Sequence, residues 1–141
     1  MSSRTAKMRG TALIEFALAW PVALLLVLGA VEIAVWGSEA FAAQSAALAG
    51  ARAGAVAGAT TALAAEVTRR TLSPSLVGVT ASAWCPGESR PPAAIWICAK
   101  DLGSAIDVQV GGMAPAIVPL VTQGGLLLRA HVIVEKEVFA K

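Results

Sequence analysis

Between Thr11 and Trp36 lie 26 residues whose only charges are Glu15 and Glu32, and the sixteen from Phe16 to Val31 carry none. As a helix this run is about 39 Å long, enough to cross a hydrocarbon core of about 30 Å with length to spare. It constrains the fold more than any other feature, because a helix this apolar needs lipid or protein along most of its surface. Two residues interrupt its uniformity. Pro21 removes one backbone hydrogen bond and is expected to bend or loosen the helix. Glu15 places a carboxylate near the start of the run, which is expensive in a bilayer and calls for a function.

Composition fits one such segment attached to a small domain. Of 141 residues, 57% are apolar and 14% charged, with mean hydropathy +0.72. That is too apolar for an ordinary soluble domain and too short for a polytopic transporter. Arg4, Lys7 and Arg9 contribute +3 of the net charge of +2, so the rest of the chain carries −1. A basic start before an apolar run predicts a cytoplasmic N-terminus and a C-terminal part outside the cytoplasm. The body holds no basic patch, which argues against nucleic-acid binding.

Residues 39–66 contain fourteen alanines and no proline, so one helix is expected from about Thr11 to about Arg70. Along it Ser38, Ala42, Ala46, Gly50, Gly54, Gly58 and Ala62 recur every four residues. Each internal glycine costs about 1 kcal/mol relative to alanine, a cost that close helix packing at Gly50, Gly54 and Gly58 would offset. The partner is either the protein's own sheet or the helix of another subunit.

After Leu72-Ser73-Pro74-Ser75 the pattern changes. Alternation predicts strands over 77–83, 93–99, 106–110 and 126–139, with a long connection from Gly111 to Gly125. Lys136 breaks the apolar face of the last strand and leaves its register open. The fold class is therefore α+β, a long N-terminal helix on a small, mostly antiparallel sheet. Cys85 and Cys98 flank a proline-rich loop. In an exported domain a disulfide there would staple a hairpin and stabilise it by about 3 kcal/mol; the alternative is a pair of buried free thiols.

Catalytic chemistry has no visible constellation. His131, Asp101 and Asp107 have no partners implied by spacing, and two cysteines with one distant histidine do not make a metal site. The reading is a non-enzyme without cofactor or metal. Trp36 suits the outer membrane–water interface, while Trp84 and Trp96 are expected to pack about the cysteine loop.

Arg9-Gly10-Thr11-Ala12-Leu13-Ile14-Glu15-Phe16-Ala17-Leu18, with Pro21, Gly29-Ala30-Val31-Glu32 and Ala46 to Ala53 around Arg52, resembles the TadE-like pseudopilins of the tight-adherence (Flp) pilus machinery. The Glu-Phe pair at 15–16 is the form associated with these pseudopilins, and the resemblance covers roughly residues 9–55. It implies a leader of residues 1–10, cut between Gly10 and Thr11 by a prepilin peptidase, so that Glu15 becomes the fifth residue of the mature chain. It further implies a single-pass inner-membrane protein with a transmembrane segment at 11–37; beyond the resemblance, the residue pattern adds an Ala/Gly-rich helical continuation at 38–72 and an extracytoplasmic β-rich domain at 73–141. The partners implied are other pilin or pseudopilin subunits, the inner-membrane assembly platform and the lipid bilayer, in a system serving adhesion or secretion. Glu15 would then pair with the new amino terminus of a neighbouring helix and set its register.

Two other readings compete. A secretory signal peptide has a basic start and an apolar stretch, and Ala40-Phe41-Ala42-Ala43 could be cut. The apolar run is longer than such peptides use and continues into helix, but an unprocessed single-pass or secreted binding protein remains the alternative. A type II secretion pseudopilin is the other. Major Flp pilins are generally shorter and lack a sheet domain.

Overall fold

The computed structural model describes residues 4–89, 94–117 and 124–137, with side chains from Leu13 onward. Helix α1 spans Arg4–Ala55 and stays helical through Pro21. Helix α2 spans Thr61–Leu72 and leads through a short turn, Ser73–Ser75, into a sheet of β1 (Ala81–Ala83), β2 (Ile95–Asp101), β3 (Ala105–Ala114) and β4 (Leu126–Glu135). This is the expected α+β arrangement of a long apolar helix packed on a small sheet.

The single helix to Arg70 is corrected to a helical hairpin. The chain leaves α1 after Ala55, turns through Gly58 at φ +82°, and closes that turn with the Ala59 N–H donating to the Val56 carbonyl at 3.0 Å. Thr60 then caps α2, its hydroxyl accepting from the Leu63 N–H at 3.2 Å. Alanine propensity favours helix but does not choose between one long rod and two short ones. Folding back buries Ala64, Thr68 and Leu72, which a continuous rod would leave in water. On the exposed side of α2, Glu66 pairs with Arg69 at 2.8 Å and Arg70 at 2.6 Å.

Strand order is β1-β2-β3-β4, with β2–β3 and β3–β4 antiparallel. A second correction concerns β1, which runs parallel to β2, Ala81 opposite Ile95 and Ala83 opposite Ile97. The cysteine loop is therefore a return connection, not a hairpin. Both strands start at the same end of the sheet, because the chain leaving α2 reaches β1 from the side where Glu39 on α1 holds the Val77 N–H. β1 is also shorter than expected, and β3 longer, running through Gly111 and Gly112 to Ala114. At Gly111 the indole of Trp96, its cross-strand partner, occupies the space of a side chain. β4 carries Leu128 and Ala130 inward up to Glu135; the expected strand end at 138–139 lies outside the described residues.

The core lies between the helical hairpin and one sheet face. Ala43, Ala46, Ala47 and Ala51 of α1 and Ala64 and Leu72 of α2 meet Ile95, Ile97, Ile106, Val108, Val110 and Leu128. The α1 side of this core is almost all alanine and glycine, so the helix axis can approach the sheet closely. α1 and β4 point the same way: the Trp36 indole N–H donates to the Leu127 carbonyl at 3.4 Å, and the Glu137 N–H to the Ala55 carbonyl at 3.1 Å. One end of the sheet thus lies beside residues 32–36, and the other beside the α1–α2 turn.

Candidate assembly and processing site

Leu13 to Val31 project away from the packed domain. Leu13, Ile14, Phe16, Leu18, Leu24 and Leu26 are all exposed, and α1 is long and apolar enough to cross a membrane. Gly10 and Thr11 lie within the backbone span of α1, and their side chains are outside the described set. Glu15 is exposed on this projecting rod, and among the described residues no donor meets its carboxylate. Its neighbour Phe16 stacks on Trp20, ring centroids 6.0 Å apart. A carboxylate in this position is costly wherever lipid surrounds the helix.

Burial begins at Glu32. Glu32 is 4% exposed and both its carboxylate oxygens lie 3.0 Å from the Ile117 amide nitrogen. Seven residues on, Glu39 is 3% exposed and accepts from the Val77 N–H at 3.1 Å. Residues seven apart share a helix face, so the two acids fasten two separate loops to one side of α1. The sequence by itself names no partner for either Glu32 or Glu39. The signal available was their spacing, i and i+7, continuing into the buried Ala43, Ala46 and Gly50.

Gly50 and Gly54 meet α2 of the same chain. A Cβ at Gly50 would run into the Thr68 hydroxyl and stand 2.6 Å from the Ala64 carbonyl; one at Gly54 would stand 2.8 Å from the Ala64 Cβ and 3.2 Å from Ile106 Cγ2. Thr68 turns its hydroxyl back onto the Ala64 carbonyl at 2.8 Å, which satisfies it inside this contact. Gly58 does not join them: it sits in the exposed turn with open space around it. Ser38, too, is exposed. At 3.6 residues per turn a four-residue repeat rotates about 40° per step, so a seven-member ridge cannot stay on one face.

On the sheet's other face, Cys85 and Cys98 form a disulfide with Cα atoms 4.7 Å apart. Trp84 and Trp96 pack edge to face beside it, centroids 5.7 Å apart. His131, Asp107 and Gln109 also come together there. His131 Nε2 lies 2.8 Å from Asp107 Oδ1, and the Gln109 amide donates to Oδ2 at 2.8 Å. Asp107 is buried, with the Gln109 hydrogen bond on one oxygen and His131 of β4 close to the other without a formed hydrogen bond. No group of three or more metal-ligating side chains occurs among the described residues.

Set against known proteins, the rod and its junction with the domain are the part that matches. Residues 10–52 carry a TadE-like protein family domain. The match begins at Gly10 and runs through Glu15, Glu32 and Glu39 to the glycine contact with α2. TadE-like proteins are pilin-like and not enzymes, and their setting is the tight-adherence pilus machinery. The sheet lies outside the match. No curated protein and no solved structure shows a match to the chain.

Proposed function

We infer that this TadE-like chain is a minor pseudopilin, a structural and assembly subunit of a tight-adherence type pilus system, processed by a prepilin peptidase after Gly10. The observation that carries the reading is Glu15, an exposed carboxylate on an apolar rod, five residues beyond a glycine at the start of the TadE-like match. Cleavage would leave Thr11 as a new amino terminus, cationic at neutral pH with a pKa near 8. A Glu15 on an adjacent subunit, offset by one helical turn, would pair with it. In a low-dielectric bundle such a pair fixes register more than it adds stability. The exposed apolar side chains from Leu13 to Val31 would hold the chain in the inner membrane, N-terminus cytoplasmic, until subunits, assembly platform and bilayer exchange contacts.

The deciding measurement is the intact mass and N-terminal sequence of protein recovered from membranes of cells that contain the peptidase. A start at Thr11 is expected. A start near residues 41–50 would identify a secreted protein and remove the role of Glu15, and an intact N-terminus would leave a plain membrane anchor. In processed protein, Glu15→Ala should insert normally and fail to assemble with its partners; normal assembly would sink the register role.

A further inference from the structure

The sheet end beside residues 32–36 carries an apolar rim. Ile117 is 51% exposed, Leu127 62% and Met113 44%, and Ile33 and Trp36, on the stretch of α1 at the same end, are exposed too. Their height along α1 is fixed by two contacts already described: Glu32 holds the Ile117 amide, and the Trp36 indole holds the Leu127 carbonyl. From Leu13 to Glu32 the helix rises about 28 Å, close to the thickness of a hydrocarbon core. If α1 spans the bilayer, Glu32 stands where the hydrocarbon ends and Ile117 beside it. Trp36 and Leu127 are then about 6 Å higher, at the depth of lipid headgroups, where indoles concentrate. Two residues further along β4, Arg129 is exposed and shares an open groove with Met113 and Leu127. Its side chain is long enough to reach back toward phosphate groups.

We propose that this rim is a second membrane contact: Ile117, Leu127 and Met113 rest in the headgroup–acyl boundary of the outer leaflet, and Arg129 pairs with lipid phosphate. The inference rests on the membrane-spanning reading of α1 and adds to it a seat for the domain. Apolar side chains are also exposed singly at the far end of the sheet, Leu102 among them. What sets the rim apart is its continuity with the point where the apolar rod enters the domain. Seated in this way, the sheet would be held upright on the membrane, its β2–β3 and α1–α2 turns pointing outward.

The test uses the full chain in vesicles of phosphatidylcholine and phosphatidylglycerol, with the Cys85–Cys98 disulfide kept oxidised. A nitroxide is attached at one introduced cysteine, in Leu127→Cys, Leu102→Cys or Leu25→Cys. Relaxation by oxygen, which concentrates in lipid, is compared with relaxation by a water-soluble nickel complex. The label at position 127 should favour oxygen several-fold over the label at 102, and adding Arg129→Gln should shift it toward the nickel complex. Labels at 127 and 102 that are equally aqueous, with 25 in lipid, would overturn the proposal and leave the anchor standing. An aqueous label at 25 would overturn both. An unchanged profile in Arg129→Gln would overturn the phosphate contact.

Discussion

Both carboxylate oxygens of Glu32 lie 3.0 Å from the amide nitrogen of Ile117, which stands 85 residues further along the chain. The bond joins the apolar rod to the loop that follows β3, so it ties the domain to the rod at their junction. Removing the acceptor from this part-buried amide leaves its desolvation only partly compensated. Glu32→Ala should destabilise the domain by about 1–3 kcal/mol, and Glu32→Gln, which keeps an acceptor, by less. Amide exchange at Ile117 in detergent-solubilised protein checks it. Exchange should accelerate in the alanine variant while amides of β3 stay protected, and an unchanged rate at Ile117 would refute the fastening role.

Gly50 and Gly37 predict opposite outcomes for one substitution. Nothing lies within 4 Å of a Cβ built at Gly37, so Gly37→Ala should gain up to about 1 kcal/mol of helix propensity. At Gly50 the same methyl collides with Thr68 and with the Ala64 carbonyl, and backbone cannot step aside cheaply. Overpacking of that kind costs about 1–3 kcal/mol. Thermal melts of the two variants in the same detergent should move in opposite directions. A stabilising Gly50→Ala would mean that α1 and α2 do not pack as closely as described.

The disulfide closes a loop with a sequence separation of 13. Reduction, or replacement of both cysteines by serine, should cost about 3 kcal/mol, mostly by releasing the unfolded chain. Because Trp84 and Trp96 pack edge to face beside the bridge, loosening of the loop should also change tryptophan fluorescence before global unfolding. Denaturant titrations with and without reductant supply both readouts; coincident curves would show that the bridge carries no stability.

How far these features were readable beforehand follows from the kind of signal each leaves. The apolar rod, Glu15 and the strand alternation are local patterns, and a pattern of period 3.6 or 2 states its own geometry. The helical turn at Gly58 was legible only in part. Alanine enrichment masks it, while Gly58 ahead of Thr60-Thr61 is a stop signal that also fits the four-residue glycine spacing. The parallel pairing of β1 with β2 leaves no local trace, since it depends on which end of the sheet the chain reaches after α2. Glu39 and Val77 show the same limit. A buried carboxylate on an otherwise apolar face signals a partner, but the partner is a backbone amide 38 residues away, and a backbone amide has no sequence signature.

Acid should expose one further pair, at the end of the sheet away from the rod. Lys136 Nζ lies 2.7 Å from both oxygens of Asp101, and the Gly103 N–H donates to Oδ1 at 2.8 Å. The lysine contact first, and the Gly103 amide second, hold the Asp101 carboxyl below its ordinary value. On the outer face of α2, hydrogen bonds from Arg69 and then Arg70 lower Glu66 to about 2. In both cases the folded protein takes up a proton less readily than the unfolded chain. Each contribution is therefore fully present above the unfolded carboxylate range of about 4 and is lost as the pH falls through the depressed folded value. All these groups reach solvent, so each contribution is small. Lys136→Met removes the main cause at Asp101. Melts of the parent and of this variant should differ at pH 7, and the difference should narrow as the pH falls below about 4. A difference that stays constant down to pH 2 would mean that Lys136 stabilises the domain by packing rather than by its charge.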